Sequence, residues 1–329
     1  MPVRHTDGIE IPLGSETVVC DATHPRGIAA LSHAHGDHLY RERPDGLLCS
    51  ALTAGLAEVR RRDEGRIERT THPAIDLVPA GHVAGSRSIL VTDEGGRKTL
   101  YTGDISTRDR FFLSGFEPPE ADELVIETTY GEPEYVFPPQ DELEAEIADW
   151  LSDTMDSPVL LFGYTLGRAQ ELEKLVERSE RDRLFVTKAT ARIDRVIEAH
   201  TDVAFASELY REDVTLGPGD ALVLPTQTST LSFVEALSER GAIKAGFSGW
   251  ATNPGFRFRG GYDVTFTLSD HCDFDELVSV VEAVDPEVVY TTHGSADAFA
   301  NHLTRELGVD ARSLIQGQAT LGEFRWESS

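Results

Sequence analysis

Lysine is almost missing from this 329-residue chain: only Lys98, Lys174, Lys188 and Lys244 occur, and arginine supplies the rest of the 30 basic residues. Long lysine-rich tracts that hold nucleic acid through counterion release are thereby excluded. Cysteine is scarce as well. Cys20, Cys49 and Cys272 lie far apart, form no Cys-x-x-Cys pair and leave one over from any disulfide. That excludes a disulfide framework and makes structural thiols in a reducing compartment the expectation. No apolar run reaches the roughly 18 residues of a membrane-spanning helix. The opening Met1-Pro2-Val3-Arg4-His5 lacks a secretory signal pattern. A soluble, cytoplasmic protein with no membrane partner is expected.

Acid is what the chain has in excess, with 57 acidic residues and a formal charge of −27. Such an acid-rich, lysine-poor composition looks like that of halophilic proteins from salt-loaded cytosols. At low ionic strength so negative a protein would repel a nucleic acid. In molar salt the screening length falls to about 3 Å, and remote acidic charge is hardly felt by a bound phosphate.

Hydrophobic rhythm divides the chain. Residues 1 to about 137 alternate short β-type runs with turns: Thr17 to Cys20, Ile28 to Leu31, Leu47 to Cys49, Ile75 to Val78, Ser88 to Val91, Thr99 to Tyr101 and Leu124 to Ile126. One helix, carrying Leu56 and Val59, ends in Arg60-Arg61-Arg62, which reads as a solvated helix end. Many strands with few helices suggest two sheets packed face to face with helices outside. From 138 to 254 strands such as Val159 to Phe162 and Ala221 to Leu224 alternate with helices, the mark of an open parallel sheet. From 255 to 329 the first rhythm returns, with strands at Val264 to Leu268 and Val288 to Tyr290, helices at Asp273 to Val284 and Ala296 to Leu307, and a final short strand pair. The expectation is a discontinuous domain with a βα domain inserted in it.

The chemistry concentrates in Ser32-His33-Ala34-His35-Gly36-Asp37-His38, directly after the apolar run Gly27 to Leu31. Three imidazoles and a carboxylate are ligands that zinc prefers, and one metal rarely takes four ligands from so short a segment. Two metals are the natural expectation. Other acidic and histidine residues follow the carboxyl ends of predicted strands, where open-sheet enzymes collect their sites. These are Asp21, His82 in Gly81-His82, Asp104 in Gly103-Asp104, Glu127, His271 in Ser269-Asp270-His271, and His293 in Thr292-His293-Gly294. The remaining histidines, His5, His24, His72, His200 and His302, are assigned no role.

Together with Glu127-Thr128-Thr129-Tyr130-Gly131, Gly163-Tyr164-Thr165-Leu166-Gly167-Arg168 and Phe247-Ser248-Gly249-Trp250, these motifs resemble metallo-β-lactamase-fold nucleases of the β-CASP group. That group includes the nuclease subunit of the cleavage and polyadenylation factor, ribonuclease J and the ligase-associated exonucleases. The likeness covers nearly the whole chain. It implies a four-layered αββα metallo-β-lactamase domain with an inserted, Rossmann-like βα domain, and the 144 positions between Glu127 and His271 leave room for that insert.

Carried over residue by residue, the resemblance implies His33, His35 and His82 on one Zn2+, and Asp37, His38 and His293 on a second. Asp104 would bridge them, and Asp21 would anchor the histidine loop from behind. Two dications roughly 3.5–4 Å apart need a shared anion, which a bridging carboxylate supplies. His271 would donate a proton to the leaving oxygen, held in its charged form by Glu127. Arg257 and Arg259 are candidates to clamp phosphate, against an ordinary surface role. The Gly167-Arg168 helix start would touch a phosphate or simply cap its helix.

The implied activity is hydrolysis of phosphodiester bonds, in RNA of the messenger 3′-end-processing type or in single-stranded DNA. His293 in the last motif goes with RNA in this family, whereas Ser248-Gly249-Trp250 and the compact length look like the exonucleases linked with DNA repair. A homodimer stays open. A small-molecule lactam, lactone or thioester hydrolase would not require Glu127, His271 and the insert together, and a catalytically silent RNA-binding subunit usually lacks several of these ligands.

Overall fold

A computed structural model describes residues 2–61, 65–211 and 213–314. Alternation of buried and half-buried positions along Ile9–Leu13 is that of a strand with one face on a core. This strand, β2, pairs between β1 (Arg4–His5) and β3 (Glu16–Cys20), and β4 (Ile28–Ala30) runs parallel to β3. A second sheet is built from β5 (Ile75–Pro79), β6 (Arg87–Thr92), β7 (Lys98–Tyr101), β8 (Glu123–Glu127), β15 (Val288–Thr292) and β16 (Ala311–Ser313), in the order β16-β15-β8-β7-β6-β5. Ile11 and Val18 from the first sheet meet Ile89, Tyr101 and Val125 from the second in one core.

Helices close both outer faces. On the first sheet, Leu56 and Ala57 of α1 (Ala51–Arg61) pack on Ala29 and Leu31, joined by Ile193 and Ile197 from the insert. On the second, Leu277 and Val281 of α7 (Phe274–Val284) and Phe299 and Leu303 of α8 (Ala296–Glu306) cover Leu124 and Ile126. The layers are αββα, as the resemblance implied.

Between β8 and α7 the chain builds a separate, all-parallel sheet. Its strands are β9 (Val159–Gly163), β10 (Arg183–Val186), β11 (Glu208–Leu209), β12 (Asp220–Pro225), β13 (Ile243–Phe247) and β14 (Val264–Phe266), in the order β11-β10-β12-β9-β13-β14. Every residue of β9 and β12 is buried, the continuous pattern of strands covered on both faces. α2 (Gln140–Asp153) and α3 (Arg168–Glu177) contribute to the core on one face, and α5 (Ser232–Ser238) to the core on the other. α4 (Lys188–His200) leans back on α1 and ties the insert to the first domain.

Four details differ from the sequence expectation. The insert does not end at 254: Ala245 to Phe247 pair in parallel with Val264 to Phe266, so β14 belongs to the insert sheet. α6 (Pro254–Gly260) stays with it too, through Phe256. The three-residue strand reads the same in either domain, and only its partner decides. Leu47 to Cys49 forms isolated bridges, Ala30 with Leu48 and Leu47 with Arg69, rather than a strand. α2 went unassigned although Leu143, Ile147 and Leu151 recur at helical spacing on its buried face. Of the closing strand pair, only β16 falls within the described residues.

Glu173 of α3 and Asp194 of α4 are both buried. Burial raises both carboxyls, Asp194 to about 7 against the Gln170 amide that donates to it at 2.8 Å, and Asp194 raises Glu173 further. Carboxyls raised on folding contribute stability in acid, and the contribution is lost as pH climbs through the folded value. The unfolding free energy should therefore fall between pH 5 and 8. Asp194→Asn should flatten that decline and gain at least about 1 kcal/mol at pH 8. A denaturation series showing the same pH slope in parent and variant would count against a raised Asp194 carboxyl.

Candidate metal centre

The site residues arrive on strand ends and tight loops. Asp21 directly follows β3 with φ 52° and His293 directly follows β15 with φ 58°, a left-handed conformation uncommon for non-glycine residues and concentrated at functional sites. The Asp21 carboxylate collects the histidine loop from behind. It accepts from Ser32 N at 2.7 Å, from the Ser32 hydroxyl, from Tyr101 OH at 2.9 Å and from His38 Nδ1 at 2.8 Å. With Nδ1 so occupied, the Nε2 of His38 is turned toward Asp104.

Three imidazole Nε2 atoms converge on one carboxylate oxygen. Asp104 Oδ2 lies 3.4 Å from His33, 3.5 Å from His38 and 3.6 Å from His82. His35 approaches by its other nitrogen, with Nδ1 3.1 Å from His82 Nε2, because the Leu166 carbonyl of the insert engages its Nε2 at 3.1 Å. One donor atom each from His33, His35, His82 and Asp104 fits within 4.8 Å of the others, and so does the set Asp21, His33 and His38. His293 and Asp37 stand at the rim: the His293 ring is centred 5.4 Å from that of His38, and Asp37 Oδ2 is 4.0 Å from His38 Nε2. His35, Asp37, His38, Asp104 and His293 line a common cleft of about 520 Å³, with Thr129, Tyr164, Thr165, Asp270 and His271 among its walls, while Asp21, His33 and His82 lie behind it.

Electrostatics favour ligands. Burial holds His33 and His82 well below the ordinary imidazole value and brings His35 and His293 to about 4, so all four present neutral lone pairs at pH 7. Burial also pushes Asp104 up to about 6 despite the pull of His38. His38 is the exception: burial would lower it, but Asp104 and Asp21 raise it to about 10, so a proton and a cation compete for its Nε2. His33 Nε2 is fully buried with no hydrogen-bond partner among the described residues, a costly arrangement unless something accepts its lone pair. Nitrogen donors, one central carboxylate oxygen and an orphaned buried imidazole together fit a zinc-type cation.

Beside the cluster, His271 Nδ1 donates to Glu127 Oε1 at 2.8 Å. Glu127 is buried and fixed by the amides of Ile105 and Thr129. Burial would depress His271, yet Glu127 pushes it up to about 10, while burial's opposite push on Glu127 is overcome by His271.

Three arginine expectations are corrected. Arg168 cannot clamp a phosphate directly: it is buried, donating to Glu171 at 2.7 Å and to Asp270 at 2.9 Å. Arg257 and Arg259 sit on α6 and are not among the cleft-lining residues, and Arg257 Nε donates to the Tyr262 carbonyl. Arg60 is not a solvated helix end: it lines the cleft and donates to Thr165 Oγ1 at 3.2 Å, while Arg62 lies outside the described residues. The Gly167 amide is taken by Gln170, which caps α3.

Sequence reasoning missed the support behind His82. Asp270, whose carbonyl engages His82 Nδ1 at 2.8 Å, is held far below the usual carboxylate range by Arg168 despite its burial. Arg110, buried, bridges Glu171 to the carbonyls of Gly81 and His82. No local pattern marks an Arg at 110 and a Glu at 171 as partners. His5 was also passed over, although its ring is centred 6.3 Å from that of His293.

Gly81 places His82 with φ 70°, and a Cβ there would meet the Ser106 carbonyl at 2.2 Å. Gly81→Ala should cost at least about 1 kcal/mol of stability and reduce zinc uptake, read by thermal melting and elemental analysis. Parental zinc content in a folded variant would show that His82 is not positioned this way.

The matching family model is "Zn-dependent metallo-hydrolase RNA specificity domain", over residues 264–314. The chain is 37% identical over 304 residues to a probable DNA ligase of Opitutus terrae, covering 88% of this chain and 29% of that protein. It is 38% identical over 97 residues to an RNase J-like protein of Methanocaldococcus jannaschii, covering 28% of this chain and 23% of the relative. The chain thus spans less than a third of either relative. A solved structure of a protein of unknown function from Enterococcus faecalis V583 superposes with a TM-score of 0.64 at 13% identity, covering 96% of this chain and 98% of that one, and shares the fold. With zinc-type ligands at the mouth of an αββα sandwich, an inserted parallel sheet and these relatives, the chain belongs to the β-CASP group of metallo-β-lactamase-fold proteins.

Proposed function

We propose that this chain is a metal-dependent nuclease holding two zinc ions, which hydrolyses phosphodiester bonds of nucleic acid, RNA in the first place. The observation that carries the reading is the convergence of His33, His38 and His82 on the buried Asp104 oxygen in the cleft, with the His271–Glu127 pair beside it. His33, His35 and His82 would hold one ion and Asp37, His38 and His293 the other, with Asp104 between them. Zinc bound there supplies Lewis acidity toward a phosphoryl oxygen and acidifies water at neutral pH.

The chain's own residues do the rest. Hydrolysis adds a water oxygen to phosphorus and breaks the ester P–O bond, so the departing alkoxide must gain a proton. His271 delivers it from Nε2 while Glu127 keeps Nδ1 engaged and the ring aimed into the cleft. The proton lost by water restores the imidazolium. Asp21 keeps the histidine loop in register, and the Arg110–Glu171–Arg168–Asp270 chain fixes His82 and its neighbours.

RNA is supported by the description of the matched family and by the RNase J-like relative. A second reading, a DNA exonuclease, is favoured by the match of 88% of this chain to a protein named as a DNA ligase. The acid-rich, lysine-poor composition supports the cytoplasm of a salt-loaded cell as the working environment. A homodimer is the assembly that sedimentation analysis would test.

The test is cleavage of labelled RNA, single-stranded DNA and a lactam by the zinc-loaded protein across a salt series. Turnover of RNA is expected; turnover of DNA alone would move the substrate to the second reading, and turnover of the lactam alone would end the nuclease proposal. His33→Ala should lose metal and nearly all turnover. His271→Ala should retain metal and slow cleavage by something like 10²–10⁴-fold, and an unchanged rate would remove the proton-donor role.

A further inference from the structure

The cleft does not stop at the ligand cluster. Gly36, Arg60 and Thr165 line its wall and are shared with a second groove of about 400 Å³ that enters the seam between α1 and α4. Val59 and Arg192 of that groove recur in a third depression, which continues along the same two helices past Arg195. One wall comes from the hydrolase domain and the other from the insert.

Charge along this seam opposes that of the protein. In a chain of formal charge −27, the seam gathers Arg60, Arg61, Arg192 and Arg195. Lys188, Arg192 and Arg195 are exposed and follow one another at helical spacing on one face of α4. Of the acids of the two helices only Glu58 lines the seam, against four arginines, and each acid has a partner or is buried. Glu58 accepts from the Ile67 amide at 2.6 Å, Glu198 from the Phe205 amide at 3.0 Å, and Asp194 is buried against Gln170. Arg61 is held in place by donating to the Arg41 carbonyl at 2.8 Å, with its guanidinium over the Tyr40 ring. Because charges beyond about 8 Å are screened at physiological salt, a polyanion leaving the cleft responds to these arginines rather than to the net charge.

We infer that the α1–α4 seam is a track for the substrate's sugar-phosphate backbone: single-stranded nucleic acid whose scissile phosphate lies at the metal centre continues along it, phosphate by phosphate, against Arg61, Arg192 and Arg195. The inference rests on the nuclease reading and extends it from the reacting bond to the neighbouring nucleotides. Substrate binding then bridges both domains, and affinity grows with strand length until the seam is filled. Arg192 and Arg195 reach no ligand or reacting atom, so they act on binding alone.

The experiment compares the zinc-loaded parent with Arg192→Ala/Arg195→Ala on a long single-stranded oligonucleotide and on a dinucleotide. On the long strand KM should rise roughly ten-fold with kcat unchanged, and the dependence of log KM on log salt should flatten by about 1.4, two contacts at about 0.7 each. On the dinucleotide the two proteins should agree. Arg192→Glu should raise the long-strand KM further, in a protein whose melting temperature shows it folded. A long-strand KM and salt slope equal to the parent's would overturn the track while leaving the nuclease reading intact, and so would an equal loss on both substrates. A parent that cleaves neither would overturn both.

Discussion

His33, His38 and His82 are packed so tightly around Asp104 Oδ2 that their charges cannot be chosen separately. Removed from water, an imidazole gives up its proton and a carboxylate tends to keep one. For His33 and His82 the outcome is lone pairs facing inward, one of them the unpartnered Nε2 of His33, while Asp104 and Asp21 hold a proton on His38 against its burial. Left alone, such a cluster is a debt to the folded state. A divalent cation resolves it by accepting the lone pairs and restoring charge to Asp104, so ligand packing, burial and metal binding form a single constraint.

The surrounding architecture serves that constraint from two directions. From the hydrolase side, Asp21 in its left-handed backbone gathers Ser32, His38 and Tyr101. From the insert side, the Leu166 carbonyl decides which nitrogen His35 offers, and Arg168 reaches Asp270, whose own carbonyl orients His82. The insert therefore contributes more than a wall to the cleft. It sets the orientation of two imidazoles contributed by the other domain, which gives a physical reason for the two units to be built as one chain.

The local chemistry was legible in the sequence because it is written in short words. His33 to His38, Gly81-His82, Gly103-Asp104 and Thr292-His293-Gly294 each place a ligand type at a strand end, and the fold brings those ends to one cleft. The αββα layering followed from strand rhythm in the same way. What stayed hidden depends on partners distant in sequence. Nothing near Arg110 or Glu171 in the chain shows that the fold buries them together, and the Gly167-Arg168 helix start suggests a phosphate contact until the burial of Arg168 is seen. β14 was placed in the wrong domain because its three residues carry no mark of the neighbour they pair with. Arg60 looked solvated because its triplet ends a helix, whereas the position of α1 against the insert turns it into the cleft.

The most direct measurement is anomalous diffraction from zinc-loaded crystals at the zinc absorption edge. The account predicts two peaks about 3.5–4 Å apart, with Asp104 between them, one reached by His33, His35 and His82 and the other by His38 and His293. A single peak, or any peak remote from the Asp104 carboxylate, would contradict it.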